Sequence, residues 1–564
     1  MDVVDEARRW LAADPDPDTR AELQELLDAG NIASLTERFG LRLEFGTAGI
    51  RGPMGAGPAR FNRMVVRRVT AGLAARLQAG DVEVGRGVVV GHDARHKSEV
   101  FAQDVATVLA GAGIPVLLLP ANIPTPVVAF AVRHLGTAAG VQITASHNPA
   151  ADNGYKVYWS DGAQILPPVD AEISAAIDAI APDAQVPMGS EGITRVETDI
   201  VGAYCDAILP LRTGSATGLR IVYTPLHGVA GAVVHRVLAQ AGFDDVVEVA
   251  AQAAPDPDFT TVSFPNPEEP GALDLAFAVA RDSGADLVLA NDPDGDRIAA
   301  AVRDGQWRAL SGDEIGCLLA EWLLTHDVGN GGRIVGTTVV SSRMLAAIAG
   351  AHGVGYVETL TGFKWLARAA RDAAERGDRM VLAYEQALGA MCGTAVMDKD
   401  GISAALVLAD MAATLQAQGS SLTDVLDDLA RRHGAHLTGG RNVRLRGPEG
   451  LALVTQTLQR LRSAPPESVN DVVVQTVADH AAGVQRHRDG REEPLTTPPT
   501  DLVGLELADG SRLQVRPSGT EPLLKFYVEV VEPVDAGESV VAARRRGAQR
   551  LDALTDAFLA AAGV

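Results

Sequence analysis

The stretch GVVVGHDARHKSEVFAQDVATVLAGAGIPVLLLPANIPTPVVAFAVRHLGTAAGVQITASHNP, residues 87–149, decides the fold. Val88–Val90 reads as a short apolar strand, and Ser98 can cap a helix whose apolar face runs Phe101, Val105, Val108, Leu109. Ile114–Leu119 is a second strand, Thr125-Pro126 opens another helix with Pro at its first position, and Val141–Thr144 is a third strand. That is a βαβαβ unit, and it runs into the polar loop Ala145-Ser146-His147-Asn148-Pro149. Val105 to Val132 carries no charge and is long enough to resemble a membrane span. Pro115, Pro120, Pro124 and Pro126 break it, so it reads as buried strand, loop and helix.

Working outward, the plan recurs twice. Leu219–Tyr223, Asp245–Val249 and Asp286–Ala290 read as strands, with helices after Gly228 and near Leu273–Arg281. The last strand leads into Asn291-Asp292-Pro293-Asp294-Gly295-Asp296-Arg297. Arg333–Val340, Gly355–Leu360 and Met380–Tyr384 repeat the pattern and lead into Glu385-Gln386-Ala387-Leu388-Gly389. In open parallel sheets ligands bind at strand carboxyl ends, so these loops are where chemistry is sought. From about His436 the texture changes to strands at Leu502–Leu507, Arg512–Val515 and Leu523–Val530, an Asp509-Gly510 hairpin turn and an Ala-rich final helix. The expected fold class is therefore α/β: three similar mixed α/β domains plus a C-terminal α+β domain. Its most polar loop is Arg516-Pro517-Ser518-Gly519-Thr520-Glu521-Pro522.

A chain of 564 residues is too long for one domain, and at roughly 150 residues per domain it divides into about four. With 47% hydrophobic residues it can bury large cores. Its net charge of −23 argues against nucleic acid and anionic membrane as partners, which need a broad basic face, but not against a small phosphorylated ligand. Cys205, Cys317 and Cys392 stand far apart with no zinc or disulfide spacing, and the N-terminus has an acidic helical pattern without an apolar signal core. Both fit the cytoplasm.

Asp292, Asp294 and Asp296 alternate at a strand end, where an extended loop can turn three carboxylates toward one hard cation. An EF-hand does not fit, because Gly295 precedes the third acidic position and Arg303 stands where the bidentate Glu belongs. The competing reading, a solvated acidic turn, must crowd three like charges without a counterion. In Thr144-Ala145-Ser146-His147 a hydroxyl adjoins an imidazole, but sequence neighbours rarely face each other, so a plain turn competes. No GxSxG elbow supports an acyl-transfer triad. Lys156 on its own reads as an ordinary surface lysine. The loop at 516–522 joins a guanidinium, two hydroxyls and amides able to face an anion, against the plainer reading of a Pro-Gly turn, and no P-loop run exists.

Taken together and in order, these loops resemble the α-D-phosphohexomutases, the phosphoglucomutase and phosphomannomutase superfamily. Gly46-Thr47-Ala48-Gly49-Ile50-Arg51-Gly52, Thr224-Pro225-Leu226-His227-Gly228 and Thr361-Gly362-Phe363-Lys364 extend the resemblance over roughly residues 40 to 530. It implies a heart-shaped enzyme with a central cleft. The domains would be 1–205, with the N-terminal helical segment and phosphoserine loop; 206–312, with the metal loop; 313–435, with the sugar loop; and 436–564, with the phosphate loop. By the motif match Ser146 would carry a phosphoryl group and, with Asp292, Asp294 and Asp296, hold one Mg²⁺ per chain. Arg51, Arg297, His147 and Lys156 would surround the phosphoryl group, with Lys156 or His147 carrying the proton. Thr361, Gly362, Lys364 and Glu385 would bind the sugar, and Arg516, Ser518, Gly519 and Thr520 its non-reacting phosphate.

The implied reaction interconverts sugar 1-phosphate and 6-phosphate, of glucose or mannose, with the sugar 1,6-bisphosphate as intermediate and activator. Many family members place a serine in the sugar loop where this chain has Ala387. That departure, with Asp398-Lys399-Asp400-Gly401, looks closer to the long-chain phosphoglucomutase and phosphopentomutase branch. Pentose 1-phosphate to 5-phosphate is therefore an alternative, as are a Mg²⁺-dependent sugar phosphatase and a non-catalytic phosphosugar-binding relative.

Overall fold

The computed structural model describes residues 2–46, 49–80, 82–181, 185–327, 329–445, 447–518 and 523–564. They form two compact units, one of residues up to 310 with 363–372 and 387–419, the other of 311–362, 373–386 and 420–564.

The first unit holds two sheets. One contains β1 (Ile50–Pro53), β2 (Val88–His92), β3 (Val116–Leu118), β4 (Ala139–Ile143), β5 (Asp152–Trp159) and β6 (Ile193–Arg195), in the order β1-β5-β4-β2-β3-β6. The strands β2, β3, β4 and β6 pair in parallel, and β5 runs antiparallel beside β4. Every residue of β2 and β4 is buried, which is why both read as continuous apolar runs. Helices Arg63–Ala79 and Ser98–Gly111 share a core with them through Val66, Leu73, Phe101 and Val105. The uncharged stretch from Val105 to Val132 becomes helix, strand β3 and helix Thr125–His134, and no helix among the described residues is long and apolar enough to cross a membrane.

The second sheet contains β7 (Ile221–Thr224), β8 (Val246–Glu248), β9 (Leu287–Asn291), β10 (Ile298–Asp304) and β11 (Gln306–Ala309), in the order β11-β10-β9-β7-β8. In the other unit β12 (Gly332–Thr338), β13 (Gly355–Thr359) and β14 (Asp378–Glu385) pair in parallel in the order β13-β12-β14. The three sheets thus share one central order, 3-2-4, 8-7-9 and 13-12-14. The last strand of each triplet leads into Ser146, into Asp292 or ends on Glu385. The threefold repeat is real, and its three polar loops occupy equivalent strand ends.

The N-terminal helical segment is divided into separate helices. Val3–Ala13, Pro17–Asp28 and Ile32–Phe39 are three, because Asp16 accepts from the Asp18 amide as a cap and Pro17 opens the second. The C-terminal sheet is antiparallel, with Ala435–Arg444 beside Leu523–Glu532, then Arg512–Pro517, Val503–Leu507 and Val472–Asp479. The Asp509-Gly510 hairpin forms as expected. Strand Ala435–Arg444 and helix Gly447–Ser463 are additions that the sequence pattern does not announce. A buried carboxylate, Glu529, accepts from the Ser342 hydroxyl, the Arg343 amide and the His436 ring at 2.8–2.9 Å, and Arg512 lies 3.2 Å away. These contacts tie the start of helix Met344–His352 to the C-terminal sheet inside the second unit.

Candidate active site

Ser146 stands just past β4 in left-handed backbone, φ +53°, a conformation uncommon for a residue with a side chain. Its amide donates to Thr144 Oγ1 at 2.9 Å, closing a turn that brings the hydroxyl around. Ser146 Oγ then donates to Asp292 Oδ2 at 2.8 Å and lies 3.2 Å from His147 Nδ1. The adjacency that is weak in sequence is therefore a contact in space, because the turn folds both side chains to one side.

Asp292, Asp294 and Asp296 are all buried, and each places a carboxylate oxygen within 4.8 Å of the others. The solvated-turn reading is thereby excluded. Asp294 Oδ2 accepts from Thr125 Oγ1 at 2.6 Å and Lys156 Nζ at 2.7 Å, and Asp296 Oδ2 from Lys156 Nζ at 2.8 Å. Asp292 Oδ1 accepts the Arg297 amide at 3.0 Å. Asp294 Oδ1 and Asp296 Oδ1 are buried without a hydrogen-bond partner. Two orphaned carboxylate oxygens in an all-oxygen set fit a hard divalent cation, which would satisfy both and offset the like charges. The electrostatics agree: burial, then the charges of Asp294 and Asp296, push the Asp292 carboxyl well above the usual range.

Lys156 is no surface lysine. It lies on β5 opposite Gln142 of β4, 5% exposed, and burial is outweighed by Asp294 and Asp296, which raise its pKa and keep it cationic. Burial, then the positive charges of Arg297 and Arg51, hold the His147 ring well below its ordinary pKa and thus neutral. Arg51 on β1 donates to Asn148 Oδ1 at 2.9 Å, in the loop that carries Ser146. Its motif needs Gly49, at φ +89°, where a Cβ would stand 1.8 Å from the Tyr155 carbonyl. Gly228 plays the same part in Thr224–Gly228, since a Cβ there would meet Pro293 at 2.4 Å and push the aspartate loop away.

Three further residues at this site carry no functional signal in the sequence. Thr125 reads only as a helix start. Lys399, notable in sequence only as part of Asp398–Gly401, brings Nζ to 3.3 Å from Asp296 Oδ2 and 5.5 Å from the centre of the Phe363 ring. Arg95 donates to the Ser146 carbonyl.

The remaining predicted residues are placed as follows. Lys364 is the second residue of helix Phe363–Glu375 and is buried, which pushes its pKa down to about 8 against the opposing pull of Asp170. In the second unit Glu385 Oε1 accepts the Gly362 amide at 2.7 Å, and Thr361 immediately precedes Gly362. Arg516 Nε donates to Tyr527 Oη at 3.2 Å, and the Ser518 amide donates to the Leu523 carbonyl at 2.7 Å. Gly519 and Thr520, like Thr47 and Ala48, lie outside the described residues.

Comparison with known proteins gives matches to the four successive models of the phosphoglucomutase/phosphomannomutase family. Its α/β/α domains I, II and III match residues 42–183, 202–305 and 311–433, and its C-terminal domain matches 471–546. The probable phosphoribomutase of Schizosaccharomyces pombe is 38% identical, over 94% of this chain and 93% of its own length. The probable phosphomannomutase of Haemophilus influenzae is 39% identical over 84% and 94%, and the mouse phosphopentomutase 35% over 94% and 90%. The structure of pp63/parafusin, a phosphoglucomutase from Paramecium, in its open form shares the fold with a TM-score of 0.68 at 17% identity, over 93% of this chain and 97% of that one. A phosphoglucomutase/phosphomannomutase family protein from Burkholderia thailandensis does so with 0.65 at 22%, over 92% and 97%.

Proposed function

We propose, for a chain that belongs to the phosphoglucomutase/phosphomannomutase family and is a phosphosugar mutase, that Ser146 shuttles a phosphoryl group between the two ends of an aldose phosphate. The observation that carries this reading is the Ser146 hydroxyl 2.8 Å from Asp292 Oδ2, beside two buried carboxylate oxygens that accept no hydrogen bond. Three carboxylates and the serine oxygen are the groups that would hold Mg²⁺, which when bound supplies the positive charge a transferring phosphoryl group requires.

The protein's own part is positional and electrostatic. Phosphorylated Ser146 gives its phosphoryl group to a sugar hydroxyl: the serine oxygen–phosphorus bond breaks, the sugar oxygen–phosphorus bond forms, and the hydroxyl proton passes by way of a base at the site to the departing Ser146 Oγ. After the bisphosphate turns end for end, Ser146 Oγ attacks the other phosphorus as that sugar oxygen–phosphorus bond breaks, and the serine proton passes by way of a base such as His147 Nδ1, 3.2 Å away, to the departing sugar oxygen. Lys156, Arg51 and Arg297 supply fixed positive charge toward the phosphoryl oxygens. Glu385 binds sugar hydroxyls, Lys364 orients the sugar, and Arg516, Ser518 and Thr520 hold the non-reacting phosphate. The bisphosphate is the activator that loads Ser146.

Among sugars, pentose phosphates are favoured. Ala387 offers no hydroxyl to a hexose where other members place a serine, and two full-length relatives are named for pentose or ribose phosphates. Hexose phosphates form the second reading, favoured by the phosphomannomutase relative. A panel of ribose, glucose, mannose and glucosamine 1-phosphates with catalytic bisphosphate tests this by kcat/KM, with free phosphate followed alongside. Ribose 1-phosphate should lead, by about tenfold or more if one hydrogen-bond partner decides. A leading hexose reverses the assignment, and free phosphate as the main product makes the enzyme a phosphatase.

The lowered pKa of Lys364 has a kinetic consequence. The group is cationic below about pH 8 and neutral above it. If it orients the phosphosugar, kcat/KM falls as pH rises through that value, because this ratio reports the free enzyme. In Lys364→Arg the guanidinium stays protonated, so the falling limb should vanish. A limb unchanged in that variant removes Lys364 from substrate binding.

A further inference from the structure

The turn that presents Ser146 is gripped from behind by one buried cation. Arg95, in the loop that follows β2, donates Nη2 to the carbonyls of Ser146 and Asn148, each at 2.6 Å. Its Nη1 donates to the carbonyls of Pro149 and Asp152 at 2.8 and 3.1 Å. Four main-chain acceptors between Ser146 and the first residue of β5 thus converge on the two Nη groups of one guanidinium, a use that needs its rigid fork of donors. The guanidinium has two further neighbours, an ionic and an aromatic one. Asp93 Oδ2 lies 3.4 Å from Arg95 Nε, and Asp93 Oδ1 is fixed by the Ser98 hydroxyl at 2.6 Å. The guanidinium lies 4.9 Å from the centre of the Phe259 ring. Two residues on, Lys97 Nζ reaches Asp16 at 2.7 Å and Asp18 at 2.8 Å, so the N-terminal helical segment, which precedes the stretch matched by the family's first domain, pins the same loop.

A serine at φ +53° stores strain of about 1 kcal/mol or more and persists only where its surroundings over-determine it. Without the guanidinium the Ser146 and Asn148 carbonyls would also lose a donor at 2.6 Å, whereas the Pro149 carbonyl keeps the Asp152 amide at 3.0 Å. We infer that Arg95 is the positioning residue of the nucleophile. Its hydrogen bonds go to the main chain of the loop and not to Asp292, Asp294 or Asp296, and it holds the Ser146 main chain in the left-handed turn that aims Oγ at Asp292. This rests on the reading of Ser146 as the phosphoryl carrier.

The test uses the full chain with Mg²⁺, sugar phosphate and bisphosphate, in Arg95→Lys and Arg95→Ala, recording kcat, KM and the phosphorylation of Ser146 by peptide mass. Displacement of the nucleophile by about an ångström predicts kcat lower by roughly 10²-fold in both variants, with KM nearly unchanged. Added guanidinium ion, below denaturing concentration, should restore part of the lost kcat to Arg95→Ala, whereas ammonium at equal concentration should not. A general structural role would move Tm without that rescue. Arg95→Lys at wild-type kcat, a loss confined to KM, or an Arg95→Ala deficit that guanidinium leaves untouched overturns the inference. A wild-type chain that turns over without phosphate on Ser146 overturns the phosphoserine reading instead, so the two failures are distinct.

Discussion

Ser146→Ala is expected to lower mutase turnover by roughly 10⁴-fold or more, because a covalent route loses its carrier and not merely a contact. Substrate KM should change little, since the residues proposed to hold the sugar and its second phosphate are untouched. The variant should also fold normally. Alanine removes one hydroxyl that donates to Asp292 and keeps the main chain on which Arg95 and Thr144 act. Loss of activity at unchanged Tm is the pattern to look for. A Ser146→Ala chain that retains even a tenth of wild-type kcat would place the phosphoryl carrier elsewhere.

Removal of the divalent cation is the second large effect. Three aspartates are buried together, and Lys156, held between Asp294 and Asp296, cannot satisfy their remaining oxygens. Dialysis against EDTA should reduce turnover by about 10³-fold or more, and Mg²⁺ should restore it. Asp296→Asn should raise the Mg²⁺ concentration needed for half-maximal rate, because a carboxylate ligand becomes a neutral amide. Full turnover in EDTA, or an Asp296→Asn variant with unaltered Mg²⁺ dependence, would leave the triad a structural feature.

The fold and the site are legible in the sequence where the signal is local. The parallel strands β2, β4, β7 and β9 are buried throughout and bounded by polar loops, so their apolar runs stand out. The antiparallel strands are harder to see. β5 opens on Asp152-Asn153-Gly154, which reads as a turn and conceals both the strand and the burial of Lys156. Strand Ala435–Arg444 carries Gly439 and Gly440 in its middle, and only its pairing with Leu523–Glu532 makes it a strand. At the site, the alternating aspartates are readable because their spacing already implies convergence. Arg95, Thr125 and Lys399 are not, since each reaches the site from a loop or helix start whose own sequence announces another role. The contact between Ser146 and His147 depends on a positive φ that no serine advertises.

The central claim is that the phosphoryl group in transit rests on Ser146, and peptide mass analysis of the wild-type chain tests it most directly. After incubation with the sugar bisphosphate and Mg²⁺, the account predicts one added phosphoryl group, located on the peptide that contains Ser146 and discharged when sugar monophosphate is supplied. A chain that turns over substrate while that peptide stays unmodified, or that carries the group on another residue, would contradict it.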